Sequence, residues 1–149
     1  MILLAFFLIA ANKGEGFRLL SKVASGGELS RVLLILKGIN KESESNITQI
    51  FDEIDTGIGG EVAGLVAKRL KKLSGKNQII IITHSAQIAS YANLHLHVEK
   101  KEIKNRTSSN IKKLNEEQRV QNLAVMLAGS KNSKSVISTA HELLKNSHN

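Results

Sequence analysis

The feature that most constrains the fold is residues 78–83, where four consecutive isoleucines follow Gln78 and lead into Thr83 and His84. A run of this kind is what a strand buried on both faces shows, and such strands belong to sheets with helices above and below. The flanking sequence supplies those helices. Residues of about 61–73 place Val62, Leu65, Val66, Leu70 and Leu73 on an inward face, and Ser74-Gly75 ends the segment. Upstream, a helix over about 26–40 carries Leu29, Val32, Leu33 and Leu36 on one face, and a polar break at 42–46 separates it from a short apolar strand at 47–52. Strands alternating with helices predict an α/β layer architecture with a largely parallel sheet.

The rest of the chain extends the pattern. A strand is expected over about 3–10, followed by a polar loop at 12–16. Ser85 can cap a short helix through Tyr91, a strand covers about 94–99, and 101–113 reads as a charged hairpin or irregular edge. Asn115 and Gln118 stand at capping-box spacing before a helix with Val120, Leu123, Ala124 and Leu127, ended by Gly129. A last helix over about 133–145 presents Val136, Ile137, Ala140 and Leu144. With 149 residues and no repeats, the chain is one domain or part of one.

Composition excludes several chemistries. Without cysteine there are no disulfides or thiolate metal sites, which fits a cytoplasmic protein. The net charge of +8 is concentrated from Lys100 onward, where ten Lys and Arg face four Asp and Glu. That balance favours an acidic partner such as nucleic acid, although aromatic residues able to stack on bases are nearly missing there. The apolar residues 1–11 lack the basic start of a signal peptide and are too short to span a bilayer, so no membrane contact is expected. His95 and His97 share a strand face but have no third ligand near in sequence, which argues against a metal there.

Four short stretches carry chemistry. Ser25-Gly26-Gly27-Glu28 is a capping box at a helix start, and its two glycines let another object approach the free amides closely, as phosphate does at helix N-termini. Ile50-Phe51-Asp52-Glu53 is a buried strand ending in two carboxylates, which need a cation, a partner or water. In phosphoryl transfer the first of such a pair completes a Mg²⁺ shell and the second deprotonates the attacking water. Asp55-Thr56-Gly57-Ile58-Gly59-Gly60 fails the dinucleotide fingerprint, because Val62 stands where a third glycine is needed. His84 follows the isoleucine strand directly. If that strand is the parallel neighbour of 47–52, His84 reaches the same sheet edge as Asp52 and Glu53, where ligands of open α/β sheets bind.

In this order the stretches resemble the C-terminal half of an ABC-type ATPase head: signature motif, Walker B strand, D-loop and switch histidine. Residues 20–31 (Leu-Ser-Lys-Val-Ala-Ser-Gly-Gly-Glu-Leu-Ser-Arg), with Phe51-Asp52-Glu53-Ile54-Asp55-Thr56-Gly57 and Thr83-His84, closely resemble the RecN family of SMC-like DNA-repair ATPases. Residues 119–129 and 140–144 are similar too, so the likeness covers essentially the whole chain. It implies an α/β fold, the C-terminal lobe of a P-loop NTPase head over residues 1–149. ATP and Mg²⁺ are the implied cofactors. Asp52 is then the indirect Mg²⁺ ligand and Glu53 the general base, while His84 contacts the γ-phosphate. Ser25, Gly26, Gly27 and Glu28 bind ATP held by the opposing head, and Asp55 sits in the D-loop at the interface between heads. Implied partners are the N-terminal half of the head, a second head and DNA, and the implied role is recombinational repair of double-strand breaks by a cytoplasmic, nucleoid-associated protein.

The sequence departs from the family pattern in three ways. Ser85-Ala86 stands where Leu-Pro is expected, and Gly59-Gly60 where Ser-Gly is usual. No Gly-x-x-x-x-Gly-Lys-[Ser/Thr] loop occurs, nor any long heptad segment, so the chain is expected to be a C-terminal piece that neither binds ATP tightly nor hydrolyses it alone. Three other readings remain: a different SMC-like or ABC head, a basic DNA-binding module with vestigial ATPase residues, and a structural interaction domain in which the acids merely tip a strand.

Overall fold

A computed structural model describes residues 7–10, 14, 16–39, 47–103, 106–129 and 133–147. The expected strand at 3–10 appears as β1 (Leu8–Ile9), antiparallel to β2 (Arg18–Leu19), with Leu8 opposite Leu19. Residues 3–6 and the polar break at 42–46 lie outside the described residues. A single turn, α1 (Leu20–Val23), precedes α2 (Gly26–Ile39). The central unit is β3 (Thr48–Asp52), α3 (Gly60–Leu73) and β4 (Gln78–Ile82), with the two strands parallel and Asp52 in register with Ile82. Then follow α4 (Ala86–Ser90), the antiparallel pair β5 (Leu96–Ile103) and β6 (Arg106–Lys113), α5 (Glu116–Ala128) and α6 (Lys134–Asn146).

The architecture is α/β as the pattern predicts, but among the described strands parallel pairing is confined to β3–β4. The charged segment after residue 100 is a regular hairpin: β5 and β6 pair along their whole length, from Leu96 opposite Lys113 to Ile103 opposite Arg106. The predicted capping box is present. Asn115 Oδ1 accepts from the Gln118 amide and Gln118 Oε1 from the Asn115 amide, and Gly129 closes α5 with φ +71°.

Two apolar clusters hold these elements together. Leu34, Phe51, Ile54, Ala63, Ala67, Leu70 and Ile88 join α2, β3, α3 and α4. Ala86 and Ala89 join Val120, Leu123, Ala124, Ala140 and Leu144 of α5 and α6 in the second cluster. The five-residue helix α4 therefore belongs to both: Ile88 faces one, Ala86 and Ala89 the other. Its C-terminal end is tied to α5 by Arg119, whose buried guanidinium donates to the carbonyls of Ser90 (3.3 Å) and Ala92 (2.7 Å). Ser147 Oγ, just past α6, donates to the same Ser90 carbonyl at 2.8 Å.

Burial corrects the sequence reading in three places. On β4, Ile79 and Ile81 pack against the first cluster, whereas Ile80 and Ile82 are exposed, and Ile50 on β3 joins them at 63%. Within the described residues one face of the pair is covered by helices and the other is bare. On α2 the large apolar side chain that is buried among the described residues is Leu34, while Leu29, Leu33 and Leu36 of the expected inner face are exposed. On α3, Ala63, Ala67 and Leu70 are buried, but Val62 and Leu65 are exposed. The physical reason is the same for each: these elements are apolar on more than one side, and the described residues cover one of them.

Candidate functional site

The parallel register decides what meets at the C-terminal edge of the β3–β4 pair. Asp52 lies opposite Ile82, so Asp52 and Glu53 leave one strand where Thr83 and His84 leave the other. Both carboxylates are exposed, and His84 is exposed beside them in sequence register. Glu53 is the one non-glycine residue with positive φ among the described residues, at +56°. This left-handed conformation costs a residue with a Cβ about 1–2 kcal/mol and tends to persist at functional sites.

The start of α2 docks directly on this tip. Ser25 and Glu28 form the predicted reciprocal cap, with the Ser25 amide donating to Glu28 Oε2 (2.7 Å) and the Glu28 amide to Ser25 Oγ (3.3 Å). The bond from the Ser25 amide, reinforced by the Ser25 hydroxyl, holds the Glu28 carboxyl below its usual range. A Cβ on Gly27 would lie 2.6 Å from the Glu53 carbonyl oxygen and 3.2 Å from Thr56 Cβ. A Cβ on Gly26 would come within 3.1 Å of Glu53 Oε2. The glycines thus permit close approach, here of the helix to the Glu53 turn.

Two residues further along α2 hold that turn, and neither had been given a role from sequence. Ser30 Oγ donates to the Asp52 carbonyl at 3.0 Å. Arg31 Nη1 donates to the carbonyls of Ile54 (3.1 Å) and Thr56 (2.9 Å). Their spacing from Gly27 is the available signal: residues three and four apart share a helix face, so whatever Gly27 touches, Ser30 and Arg31 can reach.

The contact predicts a specific sensitivity. Gly27→Ala should lower stability by about 1–3 kcal/mol, since the neighbour it meets is backbone rather than a flexible side chain. Gly64→Ala, where an added Cβ meets nothing within 4 Å, should instead be neutral or stabilising by up to about 1 kcal/mol. Urea unfolding of both variants checks the pair, and equal effects would contradict the packing argument.

Asp55 is brought to His84, and its carboxylate turns into its own chain. With a side chain 2% exposed, it lies 3.0 Å from His84 Nδ1, whose ring is 81% exposed. The same oxygen, Oδ2, accepts from Thr83 Oγ1 (2.6 Å) and from the amides of His84 (2.9 Å) and Ser85 (3.0 Å). Burial works against ionisation of Asp55, but the bonds from Thr83 and the His84 amide outweigh it and hold the carboxyl below its usual range. The predicted residues therefore form two groups along one edge: Gly26 and Gly27 against Glu53, with Asp52 next to it, and Asp55 with His84.

These residues suit a magnesium-bound triphosphate. The first amides of α2 have no carbonyl partner within the helix, and no side chain on Gly26 or Gly27 shields them. Among the described residues no group of three or more His, Cys, Asp or Glu could hold a metal. Mg²⁺ asks for less: one or two carboxylates, the remainder coming from phosphate oxygens and water. Two concavities of about 340 and 500 Å³ lie against α5 and involve none of these residues.

The chain is similar to several known proteins. DNA repair protein RecN of Treponema pallidum (strain Nichols) is 48% identical over 139 residues, which is 93% of this chain and 24% of the relative. The chain is similar to the C-terminal quarter of RecN. The RecN of Rickettsia bellii (strain RML369-C) is 46% identical over 140 residues, and that of Bacillus subtilis (strain 168) is 42% identical over 139. The chain spans about a quarter of the length of these RecN proteins. No family model matches the sequence. Among solved structures, a chain from work on ATP-driven dimerization and DNA-stimulated activation of SMC ATPases superposes with TM-score 0.55 at 19% identity, covering 79% of this chain and 70% of that one. The chain shares its fold with that SMC ATPase structure, in keeping with the RecN likeness.

Proposed function

We propose that this chain forms the C-terminal half of an ATP-hydrolysing head that acts in DNA double-strand break repair and recombination. The observation that carries the proposal is the meeting of the α2 start, the Asp52-Glu53 tip and the Asp55–His84 pair at one sheet edge. Asp52 would help hold Mg²⁺ indirectly, and Glu53 would accept the proton of the attacking water. His84 meets the γ-phosphate of its own head. Ser25, Gly26 and Gly27, with Glu28 fixing the cap, meet the γ-phosphate of a second head, and the loop that holds Asp55 lies at the interface between the two. Magnesium-bound ATP, when present, supplies the scissile phosphoanhydride and the charge that neutralises the phosphates.

One partner is inferred from an exposed face among the described residues. The exposed isoleucines Ile50, Ile80 and Ile82 form an apolar face on a parallel pair, and parallel sheets are ordinarily covered on both sides. An N-terminal lobe bearing the phosphate loop would cover that face, in keeping with relatives about four times longer than this chain. Further partners are a second head and DNA, in the cytoplasm and associated with the nucleoid. Among the described residues no helix is long and apolar enough to cross a membrane.

The test is reconstitution. Mixed with a separately produced N-terminal lobe, the chain should form a particle that doubles in mass when ATP and Mg²⁺ are added, as light scattering would record. Failure to associate with that lobe, or mass independent of nucleotide, would sink the proposal.

A second reading has its own observation. Lys100, Lys101, Lys112 and Lys113 are all exposed on the β5–β6 hairpin. A basic DNA-binding module predicts affinity for duplex DNA that falls steeply with salt and ignores ATP. Nucleotide-dependent assembly separates it from the first reading.

A further inference from the structure

We infer that Asp55 is a positioning residue for His84, holding the ring proton on Nδ1 and turning Nε2 outward as the nitrogen that meets a phosphoryl group. Three observations carry this. First, the geometry is asymmetric: the anion is buried and the imidazole is exposed, 3.0 Å apart. An anchor inside and a reactive ring outside is the arrangement that orients a histidine without hiding it.

Second, the pairing is chemically one-directional. An ionised carboxylate can only accept hydrogen bonds, so at 3.0 Å the contact is attractive only when Nδ1 carries a hydrogen. Burial alone would have favoured a protonated Asp55, but the donors around it keep the carboxyl below its usual range. In the neutral imidazole Nε2 then has a free lone pair, and on protonation it becomes an outward N–H donor.

Third, Asp55 fixes the backbone as well as the ring. Oδ2 gathers Thr83 Oγ1 and the His84 and Ser85 amides, so the turn that bears His84 is held from the same oxygen as the ring. Oδ1 is buried with no partner among the described residues, so the hydrogen bonds this carboxylate accepts from other residues, and its contact with the His84 ring, all go to residues 83–85. Thr83 Oγ1 also accepts from the Ser85 amide at 3.0 Å, which closes the turn on itself.

The part of this inference that concerns phosphate rests on the function proposed above; the tautomer does not. The two are therefore measured separately. Ring-nitrogen NMR on the full 149-residue chain, above the pH at which free imidazole titrates, reads the His84 tautomer, with His84→Gln assigning its signals. In the unaltered chain Nδ1 should appear protonated and Nε2 bare; the reverse would overturn the inference whatever the variants do. Asp55→Ala should return His84 to the Nε2–H form preferred by a free side chain. Thr83→Val, which loosens the same turn but leaves the carboxylate, should keep the Nδ1–H form. If Thr83→Val moves the tautomer as far as Asp55→Ala, Asp55 acts on the turn alone and the inference falls.

The second measurement uses the reconstituted head. Asp55→Ala should lower kcat about 10- to 100-fold, taking as a guide the loss on removing a partner that orients a metal-bound imidazole, with KM little changed. A rise in KM at constant kcat would overturn the phosphoryl part of the inference. Absence of any turnover in the unaltered head would instead count against the proposed function and leave the tautomer result standing.

Discussion

Replacing Glu53 with glutamine in the assembled head should lower ATP turnover by about 10²- to 10⁴-fold, the contribution of a positioned general base. Glutamine keeps the size and the exposed position but cannot accept a proton from water. Nucleotide-dependent association should survive, because it depends on the α2 start and on ATP, not on proton transfer. Phosphate release and light scattering on one sample separate the two effects. The left-handed backbone at Glu53 adds a second signature. Glu53→Gly removes the Cβ that makes this conformation costly, so it should abolish turnover while raising stability by about 1 kcal/mol. Undiminished turnover in either variant would remove Glu53 from the mechanism.

Arg119 should dominate the stability of the C-terminal part. Its guanidinium is buried, and its partners are chiefly the carbonyls of Ser90 and Ala92. Glu116 lies 3.3 Å away but is 76% exposed, and an ion pair with a solvated carboxylate adds at most about 1 kcal/mol. Arg119→Ala would leave a carbonyl unpaired at the end of α4 and a void beneath α5, a loss of about 3 kcal/mol. That is a large part of the roughly 5–15 kcal/mol available to a typical domain. Glu116→Gln should cost no more than about 1 kcal/mol. Chemical denaturation of the two variants gives the answer, and equal losses would show that the ion pair, not the carbonyl contacts, stabilises this region.

The candidate site was legible in sequence because its parts are local. The Ser25–Glu28 cap, the two acids at the end of β3 and the histidine at the end of β4 are each written within a few residues, and the parallel pairing needed to align them follows from a helix between two strands. The same holds for the Asn115–Gln118 cap of α5. What could not be read depends on residues far apart in the chain. Asp55 looks like an exposed loop residue until residues 83–85, 28 to 30 positions on, close around it. Arg31 and Arg119 look like surface cations, yet each reaches carbonyls more than twenty positions away. The inner faces of α2 and β4 were misread for a different reason. Leu29, Leu33, Leu36, Ile80 and Ile82 are as apolar as the residues that are buried, and periodicity cannot rank two apolar sides of one element.

The position of α4 has a mechanical consequence. Ala86, Ile88, Ala89 and Ser90 are all buried, with one side of the helix seated in the first cluster and the other in the second. A five-residue rod gripped from both sides has no slack: close-packed interiors pass strain on rather than absorbing it. Because α4 begins two residues after His84, it acts as the shank of that histidine, and the α5–α6 pair is the handle at its other end.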